Sequence, residues 1–289
     1  MQNSIKNNSS AKTLYIIGNG FDLDHSIESS YADFKGWCIV YNIKSQIDYL
    51  FGPNANWSNI EEVLGNYQVD DIYEKIDPYD GVYKNEDPFE VSEKIEGSVK
   101  VLFKETIELL RSAFRDWVNS IDINNCSRIE DYKFTEDNFY LTFNYTETLE
   151  RIYDIPSTQI CHIHGSRLVK GDDYVFGHNN KRDVIVHNED KMFDWEVDAR
   201  KAIIKLMNDF EKSYNLCGDL LDDFLKGKKI DKVMVYGHSL GKVDWPYFET
   251  IIKIIGDDIP WEVNCFSSND QVRMQQFKQN FGLKNIKAI

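Results

Sequence analysis

Residues 237–241 read Gly-His-Ser-Leu-Gly, a G-x-S-x-G pattern that follows the apolar run Val233–Tyr236. A serine on a strained strand-to-helix turn is how serine hydrolases expose a nucleophile. That chemistry needs a histidine base and a carboxylate, which in α/β-hydrolases follow the serine in the chain. The histidines are at 25, 162, 164, 178, 187 and 238, and none follows Ser239. A permuted triad is conceivable, since geometry defines triads. The chain order nevertheless argues against a hydrolase nucleophile at Ser239.

A glycine turn that opens a helix has a second use. Its backbone N–H groups bind anions or ribose hydroxyls, aided by the helix dipole. Lys242 and Asp244 lie just beyond the turn. Gly18-Asn19-Gly20 repeats the arrangement after the run Thr13–Ile17. It lacks the third glycine of G-x-G-x-x-G, and either turn taken singly reads as an ordinary tight turn. Together they suggest a nucleotide crevice at the carboxyl ends of parallel strands.

Five of the six histidines lie at or just beyond a strand-like run: His25, His162, His164, His178 and His238. His162 and His164 share parity and face one way, and His164 adjoins Gly165 at the mouth. Any of these rings could instead be a satisfied structural histidine. An H-x-H pair is a common metal-ligand pair, but no carboxylate or third histidine stands at a fixed ligand spacing, so no metal is expected.

The elements that must position these residues alternate. TLYII (13–17), FYLTFN (139–144), QICHIHG (159–165), DYVFGHN (173–179), KVMVYG (232–237) and WEVNCF (261–266) read as strands. Ser30 and Asp33 form a capping pair before Tyr31, Phe34, Trp37, Cys38 and Tyr41 at helical spacing. Turn signals at Asp77-Pro78, Asp80-Gly81 and Asp87-Pro88 precede a helical stripe of Val91, Ile95, Val99, Leu102, Ile107, Leu110, Phe114 and Trp117. Residues 194–226 and 245–255 read as helical, and Ser267–Asn269 caps a last helix through Phe281. This predicts an α/β fold, a doubly wound and mainly parallel sheet, with a helical insertion at about 45–138. Residues 1–12 read as a disordered lead, and 13–289 as one domain.

The chain has 289 residues, 42% hydrophobic and 13% aromatic, enough for a substantial core. Its net charge of −15 argues against nucleic-acid binding. No apolar run suits a membrane span, and residues 1–12 carry no signal-like core. Five cysteines without C-x-x-C argue against a disulfide framework or a zinc ribbon and favour a cytoplasmic setting.

Taken in order, IIGNGFDLDH, SYADF, LTFNYTETLE, HIHGS, FGHN and YGHSLGKVDWPYF resemble the bacteriophage abortive-infection AbiH family over nearly the whole chain. One departure is Ser26, where a glycine is expected after His25. The same motifs are more distantly similar to Sir2-like, Rossmann-type NAD-binding domains. That resemblance implies that Gly18 and Gly20 approach the pyrophosphate and that Asn144 meets the ribose. It implies His164 as general base, and Gly237 and Ser239 at the adenosine half. Thr146 stands where many such proteins have Asp, and the deacetylase cysteine pairs are missing, which speaks against protein deacetylation.

The implied activity is hydrolysis of the N-glycosidic bond of NAD or a related nucleotide, a toxic act restrained until infection. The expected catalytic pair is Asn144 and His164. The expected ligand contacts are Gly18, Asn19, Gly20, Phe21, Asp22, His25, Gly165, His178, Gly237, Ser239 and Asp244. The expected partners are a small nucleotide and a phage-encoded trigger or partner defence protein, and a homo-oligomer is allowed. Two alternatives stay open: a non-catalytic sensor that binds a nucleotide or phage protein, and a histidine-based nuclease, against which the acidic charge counts.

Overall fold

The computed structural model describes residues 11–52, 56–76, 88–169, 174–212 and 214–289. The strands are β1 (Thr13–Ile17), β2 (Phe139–Thr142), β3 (Ile160–His162), β4 (Lys232–Tyr236), β5 (Trp261–Val263) and β6 (Ile286–Ala288). The helices are α1 (Asn19–Asp24), α2 (Tyr31–Val40), α3 (Lys44–Phe51), α4 (Ile60–Gly65), α5 (Val69–Ile76), α6 (Pro88–Ser120), α7 (Thr148–Tyr153), α8 (Asp194–Asn208), α9 (Tyr214–Leu225), α10 (Trp245–Ile255) and α11 (Ser268–Phe281).

The chain divides into two compact units. The sheet unit is built from Met1–Glu28, Asp122–Asp172 and Tyr214–Ile289. The helical unit is built from Ser29–Ile121 and Asp173–Ser213.

All six strands of the sheet unit pair in parallel, in the order β3-β2-β1-β4-β5-β6. This is the doubly wound α/β arrangement, in the strand order of the Rossmann fold. β1 is central because its residues suit burial on both faces: Leu14, Ile16 and Ile17 are fully enclosed. After β3 the chain returns to the other side of β1 to place β4. The order therefore reverses between β1 and β4, the position at which such sheets bind ligands. On one face Tyr15 stacks on Tyr140, with centroids 5.1 Å apart, in a cluster with Phe21, Tyr132 and Tyr153.

In the helical unit α6 packs along α8. Ile107, Leu110, Phe114, Trp117 and Val118 form the buried stripe of α6, at the three- and four-residue spacing of one helix face. The side chains of Val91, Ile95, Val99 and Leu102 lie outside what is described. The Ser30–Asp33 capping box is present at the start of α2, and Ser267–Asp270 forms another at α11.

Several expectations are corrected. Tyr174–Asn179 forms no strand and makes a single bridge, His178 to Glu211; Asp173 is not described. The aromatic, β-branched composition misleads there. Gly177, at φ +153°, brings the backbone so close to the Phe210 carbonyl that any Cβ would overlap it, and the chain bends away. The helical region expected over 194–226 is present, as two helices, α8 and α9, one in each unit. β6 was not anticipated, since two of its three residues are exposed and carry no apolar alternation. Residues 45–121 of the expected insertion fall in the helical unit, whereas 122–138 belong to the sheet unit and hold no helix. Within the expected disordered lead, 1–10 lie outside the described residues. Lys12 is fastened, its amide on Asp231 Oδ2 at 2.9 Å and its Nζ on Asp137 at 3.0 Å. The turn signals at 77–87 also lie outside the described residues, and Pro88 opens α6.

Candidate functional site

Backbone hydrogen bonds continue past the carboxyl ends of the strands and hold four loops in register. Gly18 N–H donates to Tyr236 O at 2.9 Å, Phe143 N–H to Ile17 O at 2.9 Å, and Ile163 N–H to Thr142 O at 3.0 Å. Gly20 N–H donates to Gly237 O at 2.8 Å. The two glycine turns therefore pack directly on each other at the point where the strand order reverses. A Cβ on Gly18 would lie 2.6 Å from His238 Cα, and one on Gly20 would lie 2.7 Å from Gly237 Cα. Gly237 has φ +65°, and a Cβ there would overlap the Phe21 amide nitrogen. Close approach of backbone to backbone is what requires glycine at these positions.

Asn144, beyond β2, is buried. Its Nδ2 donates to Gly18 O at 3.1 Å, and its backbone N–H to Thr142 Oγ1 at 3.0 Å. Beneath it lies Asp22, only 1% exposed. Thr146 Oγ1 donates to Asp22 Oδ2 at 2.6 Å, and Thr148 Oγ1 to Oδ1 at 2.9 Å. Burial pushes the Asp22 carboxyl above its usual range, while donation from Thr146, Thr148 and Asn144 offsets part of that rise.

The second cluster is histidine, carboxylate, histidine. Asp244 places Oδ1 3.7 Å from His164 Nε2 and Oδ2 3.4 Å from His238 Nε2. All three residues are buried. His238 Nδ1 accepts the Leu240 N–H at 3.0 Å. The neutral ring thus carries its proton on Nε2, facing Asp244. Phe143 separates the two imidazoles, with centroids 5.1 Å from His164 and 4.3 Å from His238. Tyr247 packs on His164. Leu240 holds φ +52°, and its carbonyl accepts the Trp245 indole N–H at 3.0 Å. That unusual backbone geometry folds the turn so that His238 and Asp244 meet.

The family model described as bacteriophage abortive infection AbiH matches residues 14–265. The chain belongs to the AbiH family. Its role is accordingly in bacteriophage abortive infection. No curated protein and no solved structure matches the chain, so the resemblance to Sir2-like domains gains nothing from those comparisons. Among the described residues, no helix is long and apolar enough to cross a membrane, and no group of three His, Cys, Asp or Glu is arranged to hold a metal ion.

In this AbiH protein the sheet edge collects Gly18, Asn19, Gly20, Phe21, Asp22, Asn144, His164, Gly165, Gly237, Ser239 and Asp244 within one unit. They differ in exposure. Asn19 and Ser239 are exposed, whereas Phe21 and Asp22 are enclosed. Gly165 takes φ +87° and turns the chain directly after His164. The neighbouring His238 directs its nitrogens to Leu240 and Asp244.

Two histidines stand apart. His25 is buried among Phe21, Tyr132 and Tyr153. Its Nδ1 meets Phe21 O and its Nε2 meets Tyr153 Oη, each at 2.7 Å, so both nitrogens brace the protein. His178 lies in the helical unit. Its Nε2 meets Met207 O at 2.9 Å, and its Nδ1 accepts the Asn180 N–H at 3.1 Å. Burial pushes the His178 ring below its usual range.

The sequence alone did not single out Thr148, Glu150, Tyr247 or the link from Thr146 to Asp22. His162 Nδ1 donates to Asn144 O at 3.1 Å, and its Nε2 meets Glu150 Oε1 at 2.8 Å. The local signal was weak: Thr146 and Thr148 are spaced by two, and the i, i+12 relation of Glu150 and His162 has no standard meaning.

Proposed function

We propose that the carboxyl edge of the sheet unit binds a nucleotide and hydrolyses its N-glycosidic bond, with NAD or a close relative as substrate and phage-triggered depletion as the outcome. The observation that carries this reading is the joining of a Rossmann strand order, reversing at the β1 and β4 turns, to a buried histidine facing a carboxylate, with Asn144 tied to the β1 turn at Gly18.

In the reaction, water attacks the anomeric carbon of the nicotinamide ribose. The bond to the pyridinium nitrogen breaks, and its electron pair neutralises that nitrogen. The water proton passes to His164, and Asp244 stabilises the imidazolium so formed. Asn144 orients the water or a ribose hydroxyl. Because Gly20 N–H is committed to Gly237 O, phosphates are held elsewhere, over the exposed Asn19 and Ser239. The ligand partners are a small nucleotide and a phage-encoded or host defence trigger, and the setting is cytoplasmic.

A non-catalytic nucleotide sensor has one observation in its favour: His164 and His238 are enclosed by Phe143 and Tyr247. One experiment separates the readings. Purified protein is incubated with NAD and the products resolved by chromatography, for the wild type, Asn144→Ala and His164→Ala. Nicotinamide release by the wild type alone supports the enzyme. Binding of NAD without release supports the sensor.

A further inference from the structure

Among the buried ionisable groups that the mechanism does not use, Asp22 lies nearest Asn144 in the fold. Asp22 lies in α1, under the loop that carries Asn144. Its neighbours are hydrogen-bond donors: Thr146 at 2.6 Å, Thr148 at 2.9 Å and the Asn144 amide. No lysine or arginine among the described residues pairs with it, and what favours its charge is donation from Thr146, Thr148 and Asn144 and, last, the field of His25. Burying a carboxylate without a cation is unfavourable. An amide or an apolar side chain would fill this place at lower cost, so the carboxylate calls for a reason other than stability.

The reason lies in Asn144. An amide nitrogen has two hydrogens. One is directed to Gly18 O at 3.1 Å, and Asp22 fastens the loop just beyond Asn144 through the Thr146 and Thr148 hydroxyls. With the nitrogen committed inward, the amide oxygen is the atom left to meet a ligand. An oxygen acceptor suits a ribose hydroxyl or a water and repels a phosphate. We propose that Asp22 is a positioning residue that fixes the Asn144 amide with its oxygen toward the ligand, which makes this part of the site select a hydroxyl donor. The inference rests on reading this edge as the nucleotide site.

Asp22→Asn is close to isosteric, and the two threonine hydroxyls can rotate to suit it. The titratable groups facing Asp22 are His25 and Cys126. Because burial raises the carboxyl's pKa, its ionised form is the destabilised one. The variant should melt no lower than the wild type near neutral pH, and any advantage should shrink in mild acid, where the wild-type carboxyl takes up a proton. Phage protection in cells and NAD consumption in vitro should fall by about 10²-fold, the scale of misplacing one catalytic group.

Two results would overturn the proposal. One is a melt several degrees lower at neutral pH, which makes Asp22 a structural fastener. The other is full protection by Asp22→Asn while Asn144→Ala loses it. If Asn144→Ala and His164→Ala both protect fully and leave NAD untouched, the nucleotide reading itself has failed, and the positioning role falls with it.

Discussion

Gly20 donates its amide hydrogen to the carbonyl of Gly237, 2.8 Å away, across the point where the strand order reverses. The contact makes the two turns a single unit. Gly237→Ala should be strongly destabilising, about 3–5 kcal/mol, because it combines an unfavourable positive φ with backbone overlap at Phe21. Gly36→Ala is the control. It lies inside α2 with open space around it, and should stabilise by about 0.5–1 kcal/mol. Urea titration of both variants checks the contrast.

Asp244 serves two imidazoles. Asp244→Ala should cost about 1–3 kcal/mol, because the buried His238 Nε2–H loses the acceptor it faces. Asp244→Asn supplies an amide oxygen and should recover most of that loss. It should not recover phage protection, because the negative charge facing His164 is gone. Chemical denaturation alongside plaque counts separates the two effects.

His25 belongs to the core, and its loss should appear in stability. His25→Ala removes a ring from an aromatic cluster and two hydrogen bonds, at a cost of about 3 kcal/mol. Tyr153→Phe, further along the same chain of bonds, should cost about 1 kcal/mol. The double variant should cost less than the two together, since both cut one shared bond. Calorimetric melts of the three variants give the coupling.

Glu147 sets an acid-sensitive contribution. Burial pushes its carboxyl up, but hydrogen bonds from Arg167, its own backbone and Arg151, with the Arg167 charge, outweigh this and hold it below the usual range. A depressed carboxyl adds stability above its unfolded pKa of about 4.3 and loses it as pH falls through the folded value. Arg167→Gln should therefore lower the neutral-pH melting temperature and flatten its acid decline. Melts from neutral to acidic pH test this.

The central strands were legible because local chemistry and tertiary demand agree there: β1, β2 and β4 are apolar, β-branched or aromatic, and end in turns. The capping boxes at Ser30 and Ser267 were legible for the same reason, since each is complete within four residues. β6 was missed and the 174–179 segment misread where distant backbone decides conformation, at Trp261 for one and Phe210 for the other. In the site, strand ends gave the locations of Asn144, His164 and Gly237. They could not give partners. Asp244 meets His164 across 80 positions of chain, and Asp22 meets Thr146 across 124. Nor could they show that His25 turns inward or that His178 belongs to the other unit.

The interleaving of segments also sets a clock. β1 ends at Ile17, and its neighbour β4 does not begin until Lys232. At roughly 5–20 residues per second, a ribosome takes about 10–40 seconds to cover that interval. At its end the nascent chain has Asn144 and His164 but neither the Gly237 turn that seats against Gly20 nor the Asp244 carboxylate. The edge cannot close until Asp244 has emerged, so its two halves meet only after every intervening segment has been made.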